Sequence, residues 1–311
     1  MNRTILITGA NGFVGHHVGR EFKDNGYKVI GVGQDESATE TNASILDQYI
    51  ACDLSSPEDV ASRIDFSGVD AVLHLAGLAA VGPSFDSPLL YITANIGMEI
   101  NLYETALSQK QFPRFVVISS GSLYDAKAEL PITESSPVLP SSPYAVSKLG
   151  QEQMAKYYNN RAFESIIARP FNHIGPGQGP GFIVPDIAKQ LVDVERKAIP
   201  TVMVGNLDAQ RDYTDVRDIA VAYRLLIEKG QAGHTYNICS GTPRSGNDIL
   251  AGLKSASGIQ AEIAQDPAKM RPADTPVIFG SHDKITEHTG WQPSIPLETT
   301  LKDVIADWRS K

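Results

Sequence analysis

Thr4-Ile5-Leu6-Ile7-Thr8-Gly9-Ala10-Asn11-Gly12-Phe13-Val14-Gly15 opens with an apolar run rich in β-branched residues and continues into three glycines spaced three apart; a helical pattern then runs through about Asn25. The stretch reads as strand, glycine turn, helix. Each glycine has its own use: Gly9 for the tight turn, Gly12 for close approach of the backbone to a pyrophosphate, Gly15 for packing the helix on the strand. The spacing is Gly-x-x-Gly-x-x-Gly rather than Gly-x-Gly-x-x-Gly, and glycine turns also arise for steric reasons. Its place directly after a first strand favours dinucleotide binding.

Outward from that turn, apolar runs recur between helical segments. Lys28-Val29-Ile30-Gly31, Tyr49 to Leu54, Ala71 to Gly77, Arg114 to Ile118 and Phe163 to Arg169 read as strands two to six. Strands alternating with helices predict an α/β fold, a doubly wound parallel Rossmann sheet with ligands at the carboxyl ends of its strands. At the end of the second strand, where a ribose-recognising carboxylate is expected, stand Gly33 and Gln34; acidic residues arrive only at Asp35 and Glu36. That favours NADP or dual use over strict NAD, with His16 and Arg20 as candidate partners for a 2′-phosphate. Asp53 either accepts from an adenine amino group or caps the following turn. His74, inside an apolar run, reads as a satisfied core histidine, and the small residues after it would let a cofactor lie against the sheet edge.

The texture changes at Pro170 to Gly181, a glycine- and proline-dense loop leaving the sheet. The expected division is a dinucleotide-binding domain over 1–169 with a return segment at about 208–238, whose strong helix is Asp215 to Lys229. Residues 170–207 and 239–311 form a smaller mixed α/β C-terminal domain.

Composition excludes other classes. A chain of 311 residues with 42% hydrophobic content buries a sizeable core, and a formal net charge of -9 without a lysine/arginine cluster argues against nucleic acid. Cys52 and Cys239 lie far apart within apolar runs and read as small core residues, with neither metal spacing nor a disulfide framework. No charged leader and no run of membrane-spanning length is visible, so a cytoplasmic protein without a membrane partner is expected.

The chemistry centres on Ser141-Ser142-Pro143-Tyr144-Ala145-Val146-Ser147-Lys148. Pro143 suits the first helical position and Ser142 or Ser141 can cap, so Tyr144 and Lys148 share one face of the first two turns. An adjacent ammonium and the positive helix end would make the phenol acidic. An aromatic packed under a solvated lysine is the bland alternative.

Gly9-x-x-Gly12-x-x-Gly15, Ser120 near Tyr124, Tyr144-x-x-x-Lys148 and Arg211-Asp212-Tyr213-x-Asp215-Val216-x-Asp218 together resemble the extended short-chain dehydrogenase/reductases acting on nucleotide-sugars, over nearly the whole chain. Arg169 to Gln178, Phe182-Ile183-Val184-Pro185 and Arg271-Pro272-Ala273-Asp274 are most similar to the branch reducing GDP-4-dehydro-6-deoxy-D-mannose. The resemblance implies catalysis by Ser120, Tyr144 and Lys148: Tyr144 donates the proton, Lys148 lowers its pKa and holds the nicotinamide ribose, and Ser120 hydrogen-bonds the reacting oxygen. It implies cofactor contacts, to NADP(H) or NAD(H), from Gly9, Asn11, Gly12, Phe13, Val14, Gly15, Asp53, Leu54, Leu75, Ala76, Gly77, Asn95, Tyr144 and Lys148. Substrate contacts, to a nucleotide-diphosphate sugar, would come from Ser120, Ser122, Tyr144, Asn172, Val184, Lys189, Arg211 and Arg271, with no metal.

Hydride transfer to a ketone builds negative charge on oxygen, which a hydroxyl donor and a poised acid stabilise. Related dehydratases place an acidic residue just after the active-site hydroxyl; here Gly121 and Ser122 follow Ser120, so elimination has no carrier. Two family chemistries remain, 4-keto reduction and 4-epimerisation, and the 172–178 string with the missing acid at Gly33 favours the reductase. A non-catalytic redox sensor is the alternative from another class, against which the intact Ser120, Tyr144 and Lys148 count. The family also implies a homodimer built on the helix around Asn95 to Leu107 and the Tyr144 helix. Ile96, Ile100, Tyr103 and Met154 serve either that interface or the subunit's own core.

Overall fold

The computed structural model describes residues 3–267 and 275–311. Strands β1 (Thr4–Thr8), β2 (Lys28–Gly33), β3 (Gln48–Ala51), β4 (Ala71–His74), β5 (Arg114–Ile118) and β6 (Ser165–Pro170) are followed by β7 (Asn172–Ile174), β8 (Thr201–Val204), β9 (Gln210–Asp215), β10 (Thr235–Ile238), β11 (Pro243–Ser245), β12 (Glu262–Gln265) and β13 (Val277–Ile278). Between them run α1 (Phe13–Asp24), α2 (Glu40–Ala43), α3 (Pro57–Arg63), α4 (Val81–Ser84), α5 (Pro88–Ser108), α6 (Pro143–Asn159), α7 (Ile183–Glu195) and α8 (Val216–Lys229); α9 (Gly246–Ser257), α10 (Asp283–Thr289) and α11 (Leu297–Ser310) complete the chain.

Seven of the strands form one parallel sheet in the order β10-β6-β5-β4-β1-β2-β3, the doubly wound arrangement expected. The six strands read from sequence are its first six in chain order. The third and fourth stop earlier than expected, so Asp53, Leu54 and Leu75 to Gly77 lie in the loops just past their strands' carboxyl ends. Thr235–Ile238, in register beside β6, is the seventh.

Parallel strands covered on both faces must be apolar on both. On one face Val18 and Phe22 of α1 meet Tyr223 and Leu226 of α8. On the other, Leu102 and Tyr103 of α5 meet Tyr158 of α6, with the Tyr103 ring stacked 4.0 Å from Phe115 and 4.3 Å from Tyr158. Tyr103 is thus a core residue of its own subunit. A third core gathers α7, β8, α9 and α11 around Leu191, Leu253 and Leu301.

Candidate active site

The site forms where the loops after β1, β4 and β5 meet the start of α6. Gly9 adopts φ +69°, the left-handed region that glycine enters freely, and a methyl there would lie 3.0 Å from the Ala76 amide nitrogen. A methyl on Gly15 would lie 2.6 Å from the Ala10 carbonyl oxygen, so α1 rests directly on the turn. Gly12 begins α1 with no side-chain cap, which leaves its first-turn amides to an external acceptor. Side chains would fill this cradle; glycines keep it open for a diphosphate.

Asn11, in the same turn, holds the loop after β2. Its amide nitrogen donates to Asp35 Oδ2 at 2.7 Å and to Ser37 O at 3.0 Å, and its oxygen accepts from Thr39 N, so it straps the loop after β2 to the turn. His16 shares a 2.7 Å hydrogen bond with Asn42, whose amide reaches Ala10 O; Arg20 is exposed. Asp53 accepts from Ser55 N and Oγ at 2.9 and 2.7 Å, the turn-capping alternative. Thr8 Oγ1 accepts from Ala76 N at 3.1 Å and meets His74 Nδ1 at 2.9 Å; burial and Lys148 push that imidazole down to about 3, so it is neutral. Asn95 is fully buried: its oxygen accepts from Leu78 N at 2.8 Å and its amide donates to Leu78 O and Ser147 Oγ, tying the loop after β4 to α6.

Ser142 caps α6 by accepting from Ala145 N at 3.1 Å, and Pro143 follows, as the motif predicts. Tyr144 and Lys148 then stand together at the mouth of the sheet, with Ser120 beside the phenol. Lys148 Nζ donates to Ile118 O and to Gln151 Oε1, both at 2.9 Å, and lies 6.0 Å from the Tyr144 ring centroid. It sits over Gly77, where a methyl would come within 3.5 Å of it. The expected acidification of the phenol is absent in this geometry: burial holds Tyr144 above its usual range, and the nearby Ser120 hydroxyl pulls only partly back. Burial lowers Lys148 to about 8. The physical reason is that desolvation disfavours the charged form of each group.

Ser120 Oγ accepts from Ser122 N at 3.1 Å and meets Ser122 Oγ at 2.9 Å, opening the short 3-10 turn Gly121–Leu123. A methyl on Gly121 would lie 3.0 Å from the Phe171 ring, so a side chain next to Ser120 would need that ring to give way. Beneath it, Ser119 Oγ donates to Glu152 Oε1 at 2.6 Å, and Arg169 grips the same carboxylate with bonds of 2.6 and 2.7 Å while lying 4.7 Å over the Tyr124 ring. This buried pair was not legible as part of the site.

The expected sugar-side residues that are described come from β7, α7 and β9. Asn172 is exposed on β7. Val184 is buried in the third core, and Lys189 pairs with Asp193 on its own helix at 2.6 Å. Arg211 Nη1 donates to the carbonyls of Gln210 and Thr275 at 2.7 and 2.9 Å. Asp212 beside it accepts from Ser240 N, Ser240 Oγ and Gly241 N, anchoring the loop after β10. Arg271 lies outside the described residues. Phe13, at the start of α1, stacks on His173 at 6.2 Å, and His17 Nε2 meets Pro176 O at 2.9 Å, joining the glycine turn to the 170–181 loop.

Comparison with known proteins gives the same picture. The family model described as "NAD dependent epimerase/dehydratase family" matches residues 5–239. The chain is 33% identical to the GDP-6-deoxy-D-mannose reductase of Pseudomonas aeruginosa, over 100% of this chain and 99% of that protein. It is 27% identical to UDP-glucose 4-epimerase 2 of Arabidopsis thaliana, over 100% and 96%. Among solved structures it is similar to RMD from Pseudomonas aeruginosa complexed with NADPH (TM-score 0.88, 31% identity, 99% of each chain). It is also similar to the Thermotoga maritima UDP-glucose 4-epimerase with UDP-glucose (TM-score 0.88, 26% identity, 99% of each). With a glycine cradle under an uncapped helix, a tyrosine and lysine one turn apart at its rim, and a family model spanning both, the chain belongs to the NAD dependent epimerase/dehydratase family.

Proposed function

We propose that this enzyme is a nucleotide-sugar 4-keto reductase, taking GDP-4-dehydro-6-deoxy-D-mannose or a close GDP- or dTDP-4-keto-6-deoxyhexose to the 6-deoxyhexose, such as GDP-D-rhamnose, with NADPH or NADH. The observation that carries the reading is the convergence of Ser120, Tyr144 and Lys148 beside the open glycine cradle. Full-length likeness to a GDP-6-deoxy-D-mannose reductase supports the substrate class.

The cofactor supplies the reducing equivalent when bound. The turn at Gly9 to Gly15 and the free amides of α1 would hold its diphosphate, and Lys148, over Gly77, would hold the ribose next to the nicotinamide. A phenol kept above its usual range is protonated near neutral pH, which is the state a proton donor needs. Tyr144 gives that proton to the ketone oxygen, Ser120 donates to the same oxygen, and the Lys148 ammonium stabilises the phenolate left behind. Dehydration has no carrier, because Gly121 and Ser122 follow Ser120 where an acid would be needed and Glu152 is fully committed to Arg169 and Ser119.

Residues 1–169 with 208–238 make the dinucleotide side of this reading, and 170–207 with 239–311 the sugar side, where Ser122, Asn172, Val184, Lys189, Arg211 and Arg271 are the proposed contacts. A cytoplasmic homodimer completes it. Both cysteines are free and buried, and no helix among the described residues is long and apolar enough to cross a membrane. Leu89 and Leu90 of α5 and Val146 and Tyr157 of α6 are exposed apolar residues on the two helices expected at the interface.

The epimerase reading has its own support in the likeness to UDP-glucose 4-epimerases. Following nicotinamide absorbance while offering GDP-4-dehydro-6-deoxy-D-mannose separates the cases. Stoichiometric oxidation is the expected result; sugar interconversion without net oxidation would make the enzyme an epimerase, and binding without chemistry a sensor.

A further inference from the structure

The Lys148 ammonium is held by two oxygens, and one of them belongs to a side chain that the chemistry above does not use. Its N–H groups donate to Ile118 O, at the end of β5, and to Gln151 Oε1, both at 2.9 Å. The first acceptor is backbone and comes with the sheet. The second depends on which residue stands three positions beyond Lys148 on α6, on the same face of that helix.

Gln151 is 0% exposed, and its Nε2 has no hydrogen-bond partner. For packing alone such an amide is a poor filling, because an apolar side chain of similar length would leave no buried donor idle. What it offers instead is its oxygen. An ammonium has only donors, so it takes that oxygen and sets which way the amide lies.

Lysine carries its charge on a flexible four-carbon stem and can donate three hydrogen bonds. Two bonds to fixed oxygens also set the direction of the remaining N–H, the one left for a ligand. The ammonium that bears it stands over Gly77, where a methyl would come within 3.5 Å, and 6.0 Å from the Tyr144 ring centroid. Among the described residues no carboxylate pairs with it: burial holds Glu99 of α5 well above the usual carboxylate range, and Glu152 of α6 is bonded to Arg169. His74 of β4 is neutral, and burial holds the Tyr144 phenol above its usual range.

We infer that Gln151 is a positioning residue of the reaction: its oxygen, together with Ile118 O, fixes the Lys148 ammonium where it serves both the nicotinamide ribose and the phenolate left on Tyr144. The inference rests on the role given to Lys148 in the proposed function. Without that oxygen a buried N–H loses its acceptor, so the ammonium swings toward another or gives up its proton more readily. Either way, less of the enzyme holds a charged lysine in the working place.

The test compares Gln151→Met, which keeps length and bulk but loses the acceptor, with Gln151→Glu, which keeps an acceptor at the same reach. The readouts are kcat, the sugar KM, the alkaline limb of the kcat profile, and the titration of Lys148 by NMR of protein carrying 13Cε-lysine, with the resonance assigned by Lys148→Arg. Gln151→Met should lower kcat about 10-fold, the order of one hydrogen bond to a charged group, with the sugar KM unchanged. It should also move the alkaline limb and the Lys148 midpoint to lower pH. Gln151→Glu should return most of kcat, with a midpoint at or above the wild-type one. Should Gln151→Met fail to fold, Gln151→Leu removes the same oxygen and should give the same displacements. A folded Gln151→Met variant with an unmoved Lys148 midpoint overturns the inference, as does one with wild-type kcat. If the wild-type enzyme reduces no GDP-sugar, the proposed function fails instead, and the NMR midpoints still decide the role of Gln151.

Discussion

The Tyr49 hydroxyl stands where a side chain at Gly33 would begin: a methyl built on Gly33 lies 2.5 Å from that oxygen. The end of β2 is where a carboxylate for the ribose hydroxyls is expected. Here the space is filled from β3, and Tyr49 in turn donates to Asp35 O at 3.2 Å. Gly33→Asp by itself should destabilise the fold by about 1–3 kcal/mol through overpacking. Combined with Tyr49→Ala it should fold normally and raise the ratio of kcat/KM for NADH over NADPH. A single Gly33→Asp variant with unchanged Tm would remove the steric argument.

Tyr144→Phe keeps the ring and loses the proton. Turnover of the keto-sugar should fall by about 10²- to 10⁴-fold, the usual worth of a placed general acid, while the cofactor Kd changes little. Steady-state kinetics and a cofactor fluorescence titration check both halves. A variant retaining a tenth of wild-type kcat would dismiss the phenol as donor.

Lys148 carries opposite consequences for activity and stability. Its pKa is lowered from 10.5 to about 8 by burial, so kcat should decline as pH rises past about 8 and the ammonium disappears. Between those values the unfolded chain binds more protons than the folded one, so stability rises with pH across that window. Lys148→Met should therefore raise Tm near neutral pH while abolishing turnover, and its advantage should shrink as pH climbs from about 8 toward 10.5. Calorimetry at several pH values reads this directly.

Glu152 and Arg169 form a buried ion pair, with side chains 0% and 5% exposed. Removing one partner strands the other charge, so Glu152→Ala should cost about 3–5 kcal/mol in urea unfolding. A double change to apolar residues of similar volume should recover most of it. Because Ser119 also bonds to Glu152, the single variant should lower kcat even where it remains folded.

Much of the sheet was legible because parallel strands covered on both faces must be written as apolar runs, and Thr4–Thr8 or Arg114–Ile118 are such runs. Thr235–Ile238 escaped because Thr-Tyr-Asn-Ile carries polar residues that only the tertiary setting explains: Asn237 accepts from the Tyr124 hydroxyl and donates to Ile132 O. The Tyr144–Lys148 pair was legible since helix geometry fixes which residues share a face. What those groups feel was not, because their pKa values depend on burial and on partners from other elements. Asn11 and Asn95 sit where ligand contacts are expected, and their side chains also tie loops to the turn after β1 and to α6, a task that sequence does not display. Glu99 reads in sequence as one more charge on a helix; only the packing of α5 on α6 encloses it.

The ring of Phe13 against His173, with the His17 contact to Pro176 beside it, stitches the first turns of α1 to the 170–181 segment. Under the proposed function, those same two contacts would join the element that takes the diphosphate to the segment that carries Asn172.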